Sequence, residues 1–447
     1  MVDVRPFRGL RYGPKAGADL SVLLAPPYDV ISPQEQHDLH QADPHNIIRL
    51  ELGKAGPDDS DADNRYTRGR TTLEAWTKDG VLVREDRPSF YVCRHDFTHL
   101  GAKRSRWELL VQVRLAEWSE GVVLPHERTL PEPKIDRMNL LRALKTNTAP
   151  LWAIYQDPKD EMPALFQQIA AEPPVLQVPG WRDASFTLWT VSDPVSIARI
   201  QGFLAPTRMR LYIADGHHRY ETALAYRNER RAAHPGFTGQ EGFNYVLMTL
   251  MSLSDPGLLI LPIHRLVKGV SAERMDILKR EIATDWQVLG RLSPGPFLEQ
   301  QLSKVLTPSE GNTPRFGIYG IEPEQLVIIT PKSPAALRGV LPAATPEAVR
   351  SLDVTLLHEA FIHGALGIGR DPREVEAALA FTHHAPEAIE YVDAGRYQLA
   401  LLMNPTRVEQ IVAVAEAGDK MPQKSTFFYP KLPVGLVLSP LEDGQAT

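Results

Sequence analysis

A strand that passes into a helix with almost no loop is the feature that most constrains the fold of this 447-residue chain. The segment 210–214 is apolar and typical of a buried strand, and apolar spacing over 216–233 predicts a helix that begins at once. Asp215 is placed to cap that helix, and Gly216 permits close approach to the backbone. The sequence therefore predicts an α/β junction at which the first N–H groups of a helix have no partner within the helix.

The rest of the chain repeats this mixture of elements. Strand patterns cover 89–93, 107–115, 151–155, 184–191, 245–252 and 258–267, and helical patterns cover 66–80, 272–282, 346–351, 354–365 and 405–417. The turn sequence at 254–257 predicts that its two flanking strands form an antiparallel hairpin. We therefore expect a mixed α/β (α+β) fold, in which helices flank a mixed parallel and antiparallel sheet.

Cuts near Pro206 and Thr307 divide this pattern into three regions. We expect an N-terminal α/β region over 1–205, a region around the strand–helix junction over 206–306 and a C-terminal α/β region over 307–447. A single intertwined unit is the alternative.

Composition excludes several classes of protein. The 49 basic and 55 acidic side chains give a formal net charge of −6, so a nucleic-acid partner is not expected. Cys93 is the one cysteine, which rules out a multi-cysteine metal site. The sequence contains no run of 18 apolar residues, so we expect no membrane-spanning helix. The first seven residues lack the apolar core of a signal peptide. We expect a cytoplasmic protein of unknown oligomeric state.

The junction concentrates groups that bind anions. His217, His218 and Arg219 lie on the first helical turn, where backbone N–H groups and the helix dipole also favour negative charge. A phosphate group needs this combination of donors. The alternatives are a tight turn with surface side chains, and a metal site at the two histidines. Adjacent helical residues point about 100° apart, which disfavours the metal site.

The segment 215–219, Asp-Gly-His-His-Arg, resembles the phosphate-gripping motif of the ParB/sulfiredoxin-like fold, which includes ParB nucleotidases, sulfiredoxin and free-serine kinases. The wider chain resembles a bacterial and archaeal family catalogued as domain of unknown function 1015, over these stretches: 25–32, 46–50, 125–127, 136–137, 261–265 and 421–426. The resemblance implies a ParB/sulfiredoxin-like core and a nucleotide phosphate site at Gly216, His217, His218 and Arg219. It also implies that Asp215 and His218 lie near the transferred group.

Two further segments are candidates for substrate contacts. Glu127 stands beside His126 in a loop framed by prolines. A partly desolvated carboxylate in such a loop can accept a proton from a hydroxyl group. The alternative is a polar loop held by salt bridges. Asp29 is the second candidate for this base. Tyr28 and Asp29 follow two prolines and either line a pocket or cap the helix that begins near Pro33.

Two motif look-alikes fail on geometry. The segment 418–425 nearly matches a P-loop, but Gln423 replaces the second glycine and Pro422 removes an N–H donor. Lys424 and Ser425 in that segment remain candidates for substrate contact. The segment 358–363 nearly matches a zinc-protease helix, but its histidines are five residues apart and diverge by about 140° on an α-helix. We therefore predict an ordinary amphipathic core helix there and no metal ligands.

These observations favour a phosphotransferase that moves a phosphoryl group between a nucleotide and a small hydroxyl substrate, such as the free amino acid serine. ATP or ADP with Mg²⁺ is the expected cofactor, because nucleotide phosphates bring the ion with them. A nucleotide-binding regulatory protein and a metal-dependent hydrolase are the alternatives.

Overall fold

A computed structural model describes residues 1–129, 131–207, 209–307, 313–333 and 340–441. The mixed α/β fold with flanking helices that the sequence predicts is confirmed. The strands are β1 (Val4–Arg5), β2 (Leu10–Tyr12), β3 (Leu82–Arg84), β4 (Phe90–His99), β5 (Ala102–Arg114), β6 (Val123–Leu124), β7 (Thr146–Asn147), β8 (Leu151–Tyr155), β9 (Leu176–Trp181), β10 (Ala184–Val191), β11 (Leu211–Asp215), β12 (Tyr245–Ser252), β13 (Leu259–Leu261), β14 (His264–Val267), β15 (Trp286–Leu292), β16 (Phe316–Glu322), β17 (Gln325–Pro331), β18 (Leu379–Thr382), β19 (Leu399–Met403), β20 (Phe427–Tyr429) and β21 (Ser439–Pro440).

The α-helices are α1 (Pro33–Ala42), α2 (Ile48–Glu51), α3 (Arg65–Asp79), α4 (Pro131–Leu144), α5 (Glu161–Ile169), α6 (Pro194–Leu204), α7 (His217–Ala233), α8 (Ala272–Asp285), α9 (Leu298–Leu306), α10 (Glu347–Arg350), α11 (Asp353–Leu357), α12 (Pro372–Ala378), α13 (Ala385–Asp393) and α14 (Val408–Glu416). Among the helices of the described ranges, none combines the length and the apolar character needed to cross a bilayer.

By its packing, the described part of the chain forms two compact units. The first unit comprises 1–125, 129–258 and 430–447, and the second comprises 126–128 and 259–429. The three consecutive regions expected from the sequence stay a prediction.

The first unit is built on a sheet to which nine of the described strands contribute, in the order β6-β11-β8-β12-β5-β4-β10-β9, with β1 beside β5. β11 is parallel to β6 and antiparallel to β8, and β12 is parallel to β8. Apolar residues of α5, α6 and α7 cover one face of this sheet. Because α7 packs there through Tyr220, Ala223 and Leu224, its N-terminus is held at the end of β11.

A returning segment, residues 430–441, lies in the same unit far from its neighbours in sequence. Val434 bridges to Ala25 and Leu438 bridges to Leu10 through backbone hydrogen bonds, and β21 pairs with β7. Leu436 and Val437 are buried in a core cluster with residues of β4 and β10. The returning segment is therefore an integral part of the first unit.

The second unit contains a sheet whose order among the described strands is β15-β17-β16-β19-β14-β18, with antiparallel pairing throughout. Leucines of α9 and apolar residues of α13 pack on it. Trp286, Phe316 and Phe361 form an aromatic cluster in this unit, with ring centroids 4.8–5.8 Å apart.

The hairpin predicted around residues 254–257 is wrong. β12 already has β5 on one side and β8 on the other, so neither of its edges is open to the strand that follows. The Asp255 carboxylate instead accepts hydrogen bonds from the backbone N–H groups of Trp107 and Gly257, at 3.0 and 2.8 Å. The turn residues thus fasten the end of β12 to β5, and the chain then leaves for the second unit.

The helix predicted over 354–365 also differs from expectation. It begins as α11 and continues as a π-helix over His358–Ala365. Bonding from i to i+5 gives each turn an additional residue, so positions five apart return to one face. The rings of His358 and His363 therefore lie with centroids 6.0 Å apart, where an α-helix would separate them.

Gly242 tests the importance of the returning segment, since a Cβ added there would lie 2.1 Å from the carbonyl oxygen of Leu441. Gly242→Ala is expected to lower the free energy of unfolding by about 1–3 kcal/mol, the usual cost of overpacking, in a urea titration. Gly202→Ala is the control, because nothing lies within 4 Å of that position on α6, and it should stabilise by up to about 1 kcal/mol. Equal effects of the two substitutions would contradict this role.

Candidate functional site

The junction between β11 and α7 has a geometry that only glycine adopts easily. A bulge in the pairing with β8 lies between Ile213 and Asp215, and Gly216 has a φ of +95°. A Cβ on Gly216 would meet the Arg219 guanidinium at 3.0–3.1 Å. The expectation that Asp215 caps the helix is wrong, because Asp215 ends the strand, Gly216 takes the capping position and the carboxylate turns to other partners.

The Asp215 carboxylate lies between two cations. Its Oδ1 is 3.0 Å from Nζ of Lys431, and its Oδ2 is 3.2 Å from Nη2 of Arg219. Arg219 also donates to the backbone carbonyl of Pro150, which fixes the guanidinium between α7 and the strand β8. The three side chains are 11–16% exposed, so this ion cluster is largely shielded from water.

Lys431 belongs to the returning segment, and sequence reasoning missed it. Burial acts to lower the pKa of Lys431, but the carboxylates of Asp215 and Asp29 outweigh burial and the net shift is upward. The lysine is therefore held as a cation. No local sequence pattern around residue 431 predicts that Lys431 pairs with Asp215, because the two residues are 216 positions apart.

Tyr28 and Asp29 lie in the first unit, in a short 3₁₀ turn. The Tyr28 ring covers the guanidinium of Arg137, 4.0 Å from the ring centroid, and burial raises the pKa of Tyr28 to about 12. Ser32 caps α1 by accepting from the N–H of Glu35, so capping is not the role of Asp29. Asp29 is exposed, and its charge acts on Lys431.

Beneath Tyr28 lies a buried network that the sequence indicated only in part. Arg137 donates to the Glu51 carboxylate at 2.9 Å and also pairs with Asp136. The Thr148 hydroxyl donates to the other oxygen of Glu51. Arg137 is therefore paired with two carboxylates, those of Glu51 and Asp136. The network is a rigid support on which Tyr28 rests.

A cavity of about 50 Å³ connects this network with the junction. Its polar lining comes from Glu51, Arg137, Asn147, Arg219 and three threonines, and its apolar lining includes Leu140, Leu151 and Val246. All of these residues belong to the first unit. Arg219 therefore contacts the Asp215 cluster and also lines this cavity.

His217 is buried and His218 is half-buried at the start of α7. Within the described ranges, no group of three or more His, Cys, Asp or Glu side chains is arranged to hold a metal ion.

The remaining candidates lie in the second unit. The Glu127 carboxylate accepts a hydrogen bond from the backbone N–H of Lys424 at 3.0 Å, and the Lys424 carbonyl accepts one from Arg265 at 2.9 Å. Lys424 has a φ of +57°, a conformation that a non-glycine residue holds only when its surroundings impose it. Burial lowers the pKa of Arg265 to about 9, and the Glu127 charge opposes that shift.

His126 and Ser425 are structurally engaged in the same unit. His126 is buried and its Nε2 lies 3.0 Å from the hydroxyl of Thr426. The Ser425 hydroxyl donates to the carbonyl of Pro422 within its own loop, while its backbone carbonyl accepts from Thr406. The loop 421–426 is thus held by a bond within the loop and by bonds to Thr406, Arg265 and Glu127, and it presents the exposed Lys424 side chain.

These features define a mixed α/β protein whose distinguishing site is an ion cluster at a strand–helix junction. Residues 4–355 match the family model described as "Protein of unknown function (DUF1015)", and the chain belongs to that family. Among curated proteins, no sequence matches it.

Among solved structures, the chain is similar to a free serine kinase in complex with AMP, at 12% identity and a TM-score of 0.31, covering 74% of this chain and 92% of that one. It is similar to a conserved hypothetical protein from Pyrococcus furiosus at 11% identity and a TM-score of 0.32, covering 74% and 95%. It is also similar to C-terminally truncated SbnI from Staphylococcus aureus at 11% identity and a TM-score of 0.35, covering 74% and 87%. Function is therefore argued below from the residues of this chain.

Asp215→Asn is expected to destabilise the protein by about 3–5 kcal/mol at neutral pH, because it leaves the buried Lys431 charge without its nearest carboxylate. Since the Lys431 pKa is raised on folding, its stabilisation is present below the unfolded value of about 10.4 and is lost as pH rises through the folded value. The difference in free energy of unfolding between wild type and variant should therefore become smaller above pH ~10, as measured by urea titration.

The double variant Asp215→Asn with Lys431→Met is the control for this experiment. It removes the buried charge as well as its partner, so it should be more stable than Asp215→Asn alone. If the difference in free energy of unfolding between wild type and Asp215→Asn is the same at pH 7 and above pH ~10, the lysine charge is not the source of the destabilisation.

Proposed function

We propose that the first unit binds nucleotide phosphates at the junction formed by Gly216, His217, His218 and Arg219, and that the protein is a nucleotide-dependent phosphotransferase. The observation that carries the proposal is a surplus of positive charge. One carboxylate, Asp215, is shared by Lys431 and Arg219, so these three side chains carry a net charge of +1 at the start of a helix. The further carboxylate that raises the pKa of Lys431, that of Asp29, is exposed to water. A helix N-terminus adds oriented N–H donors and a favourable dipole.

The arrangement suits phosphoryl transfer, which depends on positioning and on neutralising charge rather than on covalent chemistry by the protein. In the proposal, Arg219 and the helix start hold phosphate oxygens, and Asp215 keeps the cations in place. His218 lies on the same turn and donates to the transferred group. The likeness of 215–219 to the ParB/sulfiredoxin-like motif belongs to this proposal.

The acceptor is a small hydroxyl compound in this proposal, with serine as the first candidate. Two carboxylates are available to orient its hydroxyl. Asp29 is exposed beside Lys431 in the first unit, and Glu127 in the second unit already accepts one hydrogen bond from Lys424. Substrate contacts by Tyr28, His126, Lys424 and Ser425 stay predictions. Mg²⁺ enters with the nucleotide, bound by phosphate oxygens.

Nucleotide binding is the first test of the proposal. Isothermal titration of ATP, ADP and AMP against the full chain should give a measurable affinity for at least one of them. Arg219→Gln should weaken that affinity about 10- to 100-fold, because a hydrogen bond to a charged group contributes about 1.5–3 kcal/mol. Arg230→Gln, in the last turn of the same helix, is the matched control and should leave the affinity unchanged. Absence of heat with all three nucleotides would refute the proposal.

Transfer of a labelled phosphoryl group to small hydroxyl compounds tests the reaction itself. If one carboxylate orients the acceptor, its amide variant should lower kcat by about 10²–10⁴-fold with little change in nucleotide affinity. Asp29→Asn and Glu127→Gln are compared side by side, and the variant that loses turnover identifies the base. Nucleotide binding without transfer to any acceptor would instead support a nucleotide-dependent regulatory protein.

A further inference from the structure

The cavity beside the junction contains donors that the folded chain leaves unused. Among the described residues, Arg219 directs only two of its five N–H donors to protein acceptors, at Pro150 and Asp215. The Thr222 side chain is 3% exposed, and its hydroxyl has no hydrogen-bond partner in the described structure. Both residues line the cavity.

Position on α7 explains why these two groups meet. Arg219 and Thr222 are three residues apart, so they lie on the same face of the helix. A buried hydroxyl without a partner is destabilising, because it has lost its hydrogen bonds to water and gained none in return. The chain therefore maintains, on one face of one helix, both a cation with spare donors and an unsatisfied hydroxyl. Because both residues line one cavity, a single ligand there could pair with both.

The size and charge of the cavity restrict the ligand. A volume of about 50 Å³ holds about three to five non-hydrogen atoms, at about 10–15 Å³ for each water-sized group. Guanidinium groups bind carboxylates and phosphates in a fork geometry. The Glu51 carboxylate lines the same cavity, and it repels a doubly charged phosphate more strongly than a singly charged carboxylate.

We infer that this cavity is a subsite for the carboxylate end of a small acceptor, with Arg219 pairing to the carboxylate and the Thr222 hydroxyl acting as its specificity-determining contact. The inference rests on the proposed function, because it describes the acceptor of that reaction. It restricts the substrate class to compact hydroxy acids and excludes neutral alcohols and sugars.

Glycolate, which has five non-hydrogen atoms, is the probe, and neutral glycolamide is its isostere. Ligand-observed NMR titration of the full chain should show glycolate binding at least tenfold more tightly than glycolamide. Thr222→Val should weaken glycolate binding about 3- to 10-fold, the loss expected for one hydrogen bond. This variant retains side-chain volume and removes an unsatisfied hydroxyl, so it is expected to fold.

Thr355→Val is the matched control, because Thr355 is also buried with a hydroxyl that has no hydrogen-bond partner in the described structure, and it lies in the second unit, outside this cavity. It should leave glycolate affinity unchanged. Equal binding of glycolate and glycolamide, or equal effects of the two valine variants, overturns the inference. Tighter binding of inorganic phosphate than of glycolate, lost in Thr222→Val, also overturns it in favour of a phosphate niche.

Titration of ADP in the same samples separates this inference from the proposed function. ADP binding that persists in Thr222→Val, together with loss of glycolate binding, supports both. ADP binding without any preference for glycolate contradicts the subsite alone. Glycolate binding without affinity for any nucleotide contradicts the phosphotransferase and leaves a carboxylate site.

Discussion

The shared carboxylate of Asp215 is the interaction on which the architecture of the site depends. It lies at the end of a central strand and pairs with Arg219 on the following helix and with Lys431 on a segment 216 residues further along the chain. Because these charges are largely shielded from water, removing one partner costs far more than removing an exposed ion pair. The cluster therefore joins the strand, the helix and the returning segment into one rigid junction.

The geometry of this junction depends on two backbone features, a β-bulge before Asp215 and the positive φ of Gly216. The Asp215 carboxylate, which follows the bulge, pairs with Arg219 and Lys431 and does not cap the helix. The left-handed conformation of Gly216 leaves room for the guanidinium of Arg219 beside it. A side chain at position 216 would displace that guanidinium and its bond to Pro150. The geometry thus links a local glycine requirement to a charge arrangement assembled from distant segments.

The sequence predicted the positions of helices and strands better than it predicted which strands pair and which distant side chains meet. The apolar pattern placed β8 and β10 at their observed bounds and α7 to within one residue, because β8 is a continuous apolar run and β10 and α7 each have an apolar face. It failed at residues 254–257, where β12 has no open edge for a hairpin partner, and over 358–365, where backbone bonding changes to the π pattern. It missed Lys431 and Glu51 because neither belongs to a local pattern. Their roles arise only when remote segments meet, which spacing along the chain does not encode.

The side chains around the cavity differ in how fully their hydrogen-bonding groups are paired. Glu51, Arg137 and Thr148 bond mainly to one another, so they gain nothing further from a ligand and serve as a wall. Arg219 is different, since two of its N–H donors are used by Pro150 and Asp215 and the residue also lines a cavity. Thr222 differs from the buried Thr355, whose hydroxyl also has no hydrogen-bond partner in the described structure, because Thr222 lines the same cavity as Arg219. In the proposed subsite, the spare donors of Arg219 and the unpartnered hydroxyl of Thr222 are the groups on this face of α7 that a ligand would bind.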